Sequence, residues 1–450
     1  MGQRLPRVFI IFAQEGRWTN MAIYYGGYDL GGKNVRAVIA DERGEFICEP
    51  CQEEVDKSRG PGGVSCQMVR LMEALAQKEG ISLKNIVAYG VTAAGPLELR
   101  DPPILEEFGE SIKDSTNIVF PDLDRPEYQK YVIEDIVYIP LGKPLKEGLN
   151  CELVKVINDV NGAVLGEFWD GVGKGYDDKS NLTIATITLG AGFGGGVCQN
   201  GVVLEGHYGN AAEVGHFLSG LSKGVACGCG KLDCAEAYVS GTGIAHNGVY
   251  TILTTPDGFD SPVYETAREV AWGKVPDEID DKEAFLKENP YLVLDYITEE
   301  AERTRVLREN DFQSGSYQEA RQRALSNLPG EIRDKERFLA EHPGFVLQQV
   351  NSEIICAQAK KFDPVALRVI MEAQIALGNV LHQMAKAYNP RYITYYGSVI
   401  VHNEDLLKEP AVRIMKRGLN VEAPCFVRSP IADDLGLHGG IRLAMQQYSR

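Results

Sequence analysis

The sequence predicts an α/β protein of two lobes, and three observations carry that prediction. The chain has 450 residues, more than a single hydrophobic core usually serves. Each half opens with alternating apolar residues broken by a glycine turn, IYYGGYDLGGKNVRAVIA from Ile23 and LTIATITLGAGFGGGVC from Leu182, which is the pattern of paired strands. Apolar strands also run straight into helical periodicity, most clearly where CELVKVIN meets DVNGAVLGEFWDG, so strands and helices alternate.

Residues 1–22 read as an N-terminal extension. Its VFIIFA run is too brief for a secretory signal and lacks a small-residue cleavage site, and Met21 offers a second start. Residues 23–158 form the N-terminal α/β lobe. It begins with a strand meander in which DERG makes a second turn. A helix over Gly63–Glu79 follows, with Val64, Met68, Leu71 and Leu75 on one face. The strand IVAYGVTAAGP, a stretch of turns over 101–150 and the strand CELVKVIN complete the lobe.

Residues 159–450 form the C-terminal α/β lobe. Val160, Ala163, Val164 and Phe168 line one face of its first helix, and Asn200-Gly201 supplies a favoured two-residue hairpin turn. A cysteine-rich segment occupies 213–236, with helices from about residue 237. A charged, mostly helical insertion covers about 256–345, in which DKEAFLKENPYLVL from Asp281 recurs as DKERFLAEHPGFVL from Asp334. Two copies are too few for a solenoid. The insertion reads either as a solvated surface or as a partner surface. A long helix near 350–388, the strand RYITYYGSVIV and a closing helix in IADDLGLHGGIRLAMQQ end the chain.

Composition narrows the function. A net charge of −17 repels phosphate backbones and no basic stripe offsets it locally, so nucleic acid is excluded as a partner. No run of 18 apolar residues occurs, so no membrane partner is expected. Ten cysteines in so long a chain read as reduced thiols of a cytoplasmic protein, not as a disulfide framework.

The densest chemistry lies in EVGHFLSGLSKGVACGCGKLDCAE, Glu213 to Glu236. Cys227, Cys229 and Cys234 with His216 make a Cys3His set suited to a closed structural Zn²⁺ site. Gly228 and Gly230 let the backbone fold back so that the sulfurs converge. The plainer alternative is three buried thiols and a surface histidine. Four protein ligands leave no open position for catalysis, so the ion fixes a loop, and Glu213 and Glu236 beside it are candidate substrate acceptors.

Two glycine turns suit phosphate, since bare backbone N–H groups approach it closely. They are DLGGK, Asp29 to Lys33, and LGAGFGGG, Leu189 to Gly196. Asp29 could equally be a turn residue bonding its own backbone. Gly190, Gly192 and Gly195 match G-x-G-x-x-G, but the dinucleotide signature needs a helix next and a strand pattern follows here. Asp159, beside Asn158, stands where a strand gives way to a helix. It reads as a helix N-cap, as a proton acceptor, or as both, because the N-terminal dipole keeps a carboxylate ionised.

Together these segments resemble the ROK family of sugar kinases, in the actin-like, hexokinase-like ATPase superfamily with its two-lobed ribonuclease H-like fold. The likeness runs from about Ile23 to Gln447, apart from the insertion and some loops. DLGGK resembles the family's D-x-G-G-T loop and LGAGFGGG its L-G-T-G-x-G-G-G loop, which assigns phosphate contacts to Asp29, Gly31, Gly32, Lys33, Gly190, Gly192 and Gly194. NDVNGAVLGE resembles N-D-A-N-A-A-A-L-G-E, implying Asp159 as general base and Asn158 as a sugar ligand. NAAEVGH and CGCGKLDCAE resemble G-A-A-G-E-I-G-H and C-G-C-G-x-x-G-C-L-E. These transfer sugar contacts to Glu213, His216 and Glu236, and zinc ligation to His216, Cys227, Cys229 and Cys234. Asn117 matches the sugar contact of an N-L-P segment, and Gly397 lies on the adenosine side.

The resemblance implies glucokinase-like phosphorylation of a hexose or hexose derivative by ATP with Mg²⁺, a cleft that closes on the sugar, and a homodimer as in many relatives. Lys33 and Ala191 replace threonines of the two loops, and Tyr396 replaces a glycine before Gly397. These departures motivate the alternative of a sugar sensor impaired in phosphoryl transfer. Residues 1–22 are too short for the helix-turn-helix of the family's regulators.

Overall fold

The computed structural model describes residues 22–115, 118–254, 315–327 and 349–449. Two compact units divide them: the described residues within 1–170, 206–210 and 433–450, and those within 171–205 and 211–432.

In the first unit the opening meander is β1 (Tyr24–Leu30), β2 (Asn34–Ala40) and β3 (Cys51–Glu54). Helix α1 (Pro61–Lys78) starts on Pro61, whose missing N–H costs nothing at a helix N-terminus. Its buried residues include the expected Val64, Met68, Leu71 and Leu75. Then come β4 (Ile86–Ala93), β5 (Leu97–Glu98), α2 (Pro102–Phe108), β6 (Ser111–Lys113), β7 (Val132–Ile133), β8 (Ile136–Pro140), α3 (Gly142–Leu149), β9 (Val154–Asn158) and α4 (Asp159–Trp169). The main sheet has the order β3-β2-β1-β4-β9. The first three strands are antiparallel, and β1, β4 and β9 run parallel.

Helix α4 corrects the one-face expectation: every residue from Val160 to Phe168 is buried. Its second cover is the closing helix Leu435–Tyr448, which is far away in sequence. Glycine makes their close approach possible. A Cβ on Gly439 would sit 2.1 Å from the Gly162 carbonyl oxygen, and one on Gly90 of β4 would sit 2.0 Å from that of Gly440. At the end of this crossing Arg442 grips the Asp170 carboxylate, with Nε 2.7 Å from Oδ2 and Nη2 on Oδ1. His438 Nδ1 lies 3.4 Å from Oδ2.

The second unit repeats the strand plan. Its sheet is β12-β11-β10-β13-β14, from β10 (Thr183–Leu189), β11 (Phe193–Gln199), β12 (Val202–Val203), β13 (Tyr392–Tyr396) and β14 (Cys425–Arg428). Again two antiparallel strands precede three parallel ones. Asn200 and Gly201 form the β11–β12 turn with φ of 55° and 81°, the left-handed pair such a turn requires. Between the strands lie α5 (Glu236–Val239), α6 (Gly241–Thr254), α7 (Gly315–Asn327), α8 (Ser352–Ala359), α9 (Pro364–Tyr388), α10 (Ser398–Val401) and α11 (Glu404–Lys416).

The single helix expected near 350–388 is two helices. Phe362 adopts φ of 64°, and Asp363 caps α9 by accepting the Ala366 N–H at 3.0 Å, with Pro364 at the first helical position. Helix α9 is long and apolar enough to cross a membrane, but most of its apolar window is buried against α11 and the second unit's core. Of the insertion only α7 is described. Both copies of the duplicated segment lie outside the described residues.

Candidate functional site

In the first unit, candidate residues gather at the carboxyl ends of the parallel strands, where ligands bind in open α/β sheets. Asp29 of β1 lies beside Thr92 of β4, and Asn158 ends β9 next to Ala93. Thr92 Oγ1 donates to Asp29 Oδ1 at 3.2 Å, and Arg36, opposite Asp29 on β2, places Nη1 3.9 Å from Oδ2. Burial raises the Asp29 carboxyl pKa; Arg36 and the Thr92 hydrogen bond only partly oppose it, and Asp434 adds to the rise. The loop Gly31–Lys33 is closed by the Gly31 N–H on the Asn34 carbonyl at 2.9 Å, and Lys33 is exposed.

Asn158, not Asp159, is the N-cap of α4. Its Oδ1 accepts the N–H groups of Val160 at 3.0 Å and Asn161 at 3.3 Å. That leaves Asp159 at the first helical position, half-exposed. A carboxylate there faces the positive end of the helix dipole, which favours negative charge, and its Oδ1 accepts the Val160 N–H at 2.9 Å. Asn117 lies outside the described residues.

In the second unit the loop Gly190–Gly192 joins β10 to β11 and is open to solvent at Ala191 and Gly192. As expected, a strand and not a helix follows it, and Gly194 belongs to β11, paired with Thr188. The loop is tied to the start of α6: Gly241 N–H donates to the Gly190 carbonyl at 2.8 Å and Thr242 Oγ1 to that of Ala191 at 3.0 Å. Gly397, with φ of 98°, follows β13, and a Cβ there would meet the Leu189 carbonyl oxygen at 2.5 Å.

The cysteine-rich segment folds into a knuckle. Ligand atoms of His216, Cys227, Cys229 and Cys234 all lie within 4.8 Å of one another. Cys227 Sγ is 3.6 Å from His216 Nδ1, and Cys229 Sγ is 3.7 Å from Cys234 Sγ. Zinc bonds of about 2.3 Å to sulfur and about 2.0 Å to nitrogen, set tetrahedrally, leave ligand atoms roughly 3.5 to 3.8 Å apart, so the four residues fit such an ion. Without a cation, burial pushes the Cys234 thiol up to about 11.

Glu236 reaches from α5 to both features. Its Oε2 accepts the Phe193 N–H at 2.9 Å, and its Oε1 lies 3.6 Å from Cys227 Sγ. Partial desolvation raises the Glu213 carboxyl, with His216 opposing and Glu236 adding to the shift.

Sequence reasoning missed several of these supports. Arg36 was legible as the residue facing Asp29 across a short hairpin, whereas Thr92 and Thr242 become visible only once strands and loops are placed.

A sequence model of the ROK family matches residues 25–252. The chain belongs to the ROK family. This ROK protein is 29% identical over 222 residues to a glucokinase of Halalkalibacterium halodurans, covering 49% of the chain and 58% of that enzyme. It is 30% identical over 231 residues to an N-acetyl-D-glucosamine kinase of Histophilus somni, covering 49% of the chain and 63% of that enzyme. It thus spans less than two thirds of the length of these curated relatives. The crystal structure of a ROK hexokinase from Thermus thermophilus superimposes with a TM-score of 0.57 at 19% identity, over 95% of this chain and 99% of that one. A ROK family transcriptional regulator, a homolog of the E. coli MLC protein, gives 0.54 at 17% identity, over 95% and 79%. The fold of this ROK protein is therefore the actin-like, hexokinase-like one, whatever reaction it serves.

Proposed function

We propose that the protein phosphorylates a hexose or hexose derivative with ATP. The observation that carries this reading is the placement of Asp159 at the N-terminus of α4, beside the Asn158 cap, where the parallel strands of the first unit end. Asp159 takes the proton from one sugar hydroxyl as that oxygen attacks the γ-phosphorus and the bond to the β-phosphate oxygen breaks, releasing ADP. Mg²⁺ accompanies ATP. Backbone N–H groups of the Gly31–Lys33 and Gly190–Gly192 loops meet the phosphates, and Gly397 admits the adenosine side.

Asn158, Glu213, Glu236 and His216 are the sugar ligands, with Asn117 as a further one. Ionised carboxylates accept two hydroxyl hydrogen bonds each, and His216 keeps Nε2 for the sugar while Nδ1 belongs to the knuckle. His216, Cys227, Cys229 and Cys234 would hold a structural zinc ion, whose contribution is to fix the loop between Glu213 and Glu236. The relatives' glucokinase and N-acetylglucosamine kinase activities favour glucose and N-acetylhexosamines as the first substrates to try.

The test is an ATP-coupled assay across hexoses and N-acetylhexosamines with the wild type and Asp159→Asn. Loss of a positioned general base should lower kcat about 10²–10⁴-fold and leave sugar affinity nearly unchanged. Equal turnover by both proteins would remove Asp159 from the mechanism. The second reading, a sugar sensor, is favoured by Lys33 and Ala191 standing where relatives carry hydroxyls. Sugar binding by calorimetry with no turnover on any sugar would select it.

A further inference from the structure

The turn that closes the knuckle carries a side chain the family pattern lacks. Where C-G-C-G-x-x-G-C-L-E places glycine before the last cysteine, this chain has Asp233. Its φ is 58°, in the left-handed region where glycine is at ease and only a few short polar residues follow it. The carboxylate is fully engaged within the second unit. Its Oδ1 accepts the N–H groups of Val225 at 3.0 Å and Lys223 at 3.3 Å, and its Oδ2 accepts that of Gly224 at 3.1 Å. The hydroxyl of fully buried Tyr238 also donates to Oδ1. The main chain of Asp233 adds two more ties, its N–H to the Val225 carbonyl at 2.6 Å and its carbonyl to the Ser219 N–H at 3.0 Å.

Three successive amides turned toward one point make an anion-binding nest, and here the chain supplies the anion itself. The consequence is positional. Residues 223–225 lead directly into Cys227, Asp233 precedes Cys234, and Tyr238 shares α5 with Glu236. One carboxylate therefore fastens three stretches that carry two of the metal-binding sulfurs and a candidate sugar acceptor.

We propose that Asp233 is a positioning residue, a clasp independent of metal that holds Cys227, Cys234 and Glu236 in place before a cation arrives. For the identity of the cation this rests on the zinc reading above. A preformed site spares the ion the ordering of the loop, so affinity is gained without a fifth ligand.

The test uses the full-length wild type, Asp233→Gly, Asp233→Asn and Tyr238→Phe. Zinc per chain and its release to the chromogenic chelator 4-(2-pyridylazo)resorcinol are measured, along with hydrogen exchange of the Lys223–Val225 amides before and after chelation. Asp233→Gly, which relieves the backbone but removes the carboxylate, should release zinc about 10–100-fold faster. Asp233→Asn should fall between it and the wild type, since one acceptor oxygen remains. Tyr238→Phe should have a smaller effect, because the three amides keep their acceptor. In the wild type the amides should stay protected after chelation; in Asp233→Gly they should not. Wild-type release from Asp233→Gly overturns the proposal, as does amide protection that vanishes from the wild type with the metal. A wild type that takes up no zinc yet keeps Asp233-dependent protection refutes the zinc reading and upholds the clasp.

Discussion

Replacing Asp170 by asparagine tests the junction between α4 and the closing helix. The Asp170 side chain is 6% exposed and that of Arg442 14%, so the substitution leaves a guanidinium without its counter-charge in a largely dry setting. Breaking a buried ion pair by removing one partner costs about 3–5 kcal/mol. Asparagine keeps one acceptor oxygen for Arg442, so we expect a loss of about 2–3 kcal/mol at pH 7. For a unit of this size that is a fall in Tm of roughly 4–12 °C.

The pH dependence follows from the direction of the Asp170 shift. Burial alone would raise its pKa, but the Arg442 hydrogen bonds, the nearby His438 and the guanidinium charge outweigh it and hold the carboxyl below its ordinary value. A depressed carboxyl contributes stability that is present above the unfolded pKa, about 3.9, and is lost as pH falls through the folded value. Melting curves of both proteins by circular dichroism should therefore be well separated at pH 7 and converge as the pH drops below 3.9 toward the folded pKa. A Tm gap that keeps its size down to pH 2 would show that the ion pair does not hold this crossing.

Three further outcomes are expected. Gly439→Ala puts a methyl group against the Gly162 carbonyl, and forcing the helices apart should cost about 1–3 kcal/mol, read as a lower urea midpoint. Gly397→Ala needs a φ of 98° that costs alanine of order 1–3 kcal/mol, so the ATP KM should rise while sugar affinity by calorimetry stays constant. Under the proposed kinase reading Asp29 acts as a carboxylate at the phosphate site, and its pKa is raised, so kcat/KM for ATP should begin to fall at a pH above the ordinary value of about 3.9, and that acid limb should be absent from the pH profile of Asp29→Asn.

What could be read ahead of the structure was local. Hairpins with glycine turns, the Asn200-Gly201 bend and the strand-to-helix step at Asn158 depend on neighbouring residues, and each formed as expected. The break before Pro364 was equally local, because Asp-Pro is a cap followed by a favoured first helical residue, yet the apolar periodicity on either side concealed it. The burial of α4 on every side was not legible, since its second cover comes from Leu435–Tyr448. In the candidate site the four residues of the Cys/His cluster announced themselves by type and spacing, whereas Thr92 and Asp233 are ordinary letters until register and loop closure give them partners. The Val160 amide meets side-chain oxygens of both Asn158 and Asp159, and the cap is told by the second amide, that of Asn161, which Asn158 Oδ1 also accepts.

The glycine crossing between α4 and the closing helix also sets an order on biosynthesis. The second unit can assemble from one nearly continuous stretch of chain, but the first lacks its last helix until residues 435–448 have left the ribosome. At ordinary elongation rates the interval from Asp170 to Leu435 lasts on the order of ten seconds to a minute. Throughout it, apolar surface on β1, β4 and α4 stands uncovered on the nascent polypeptide, a natural stretch for chaperones to guard.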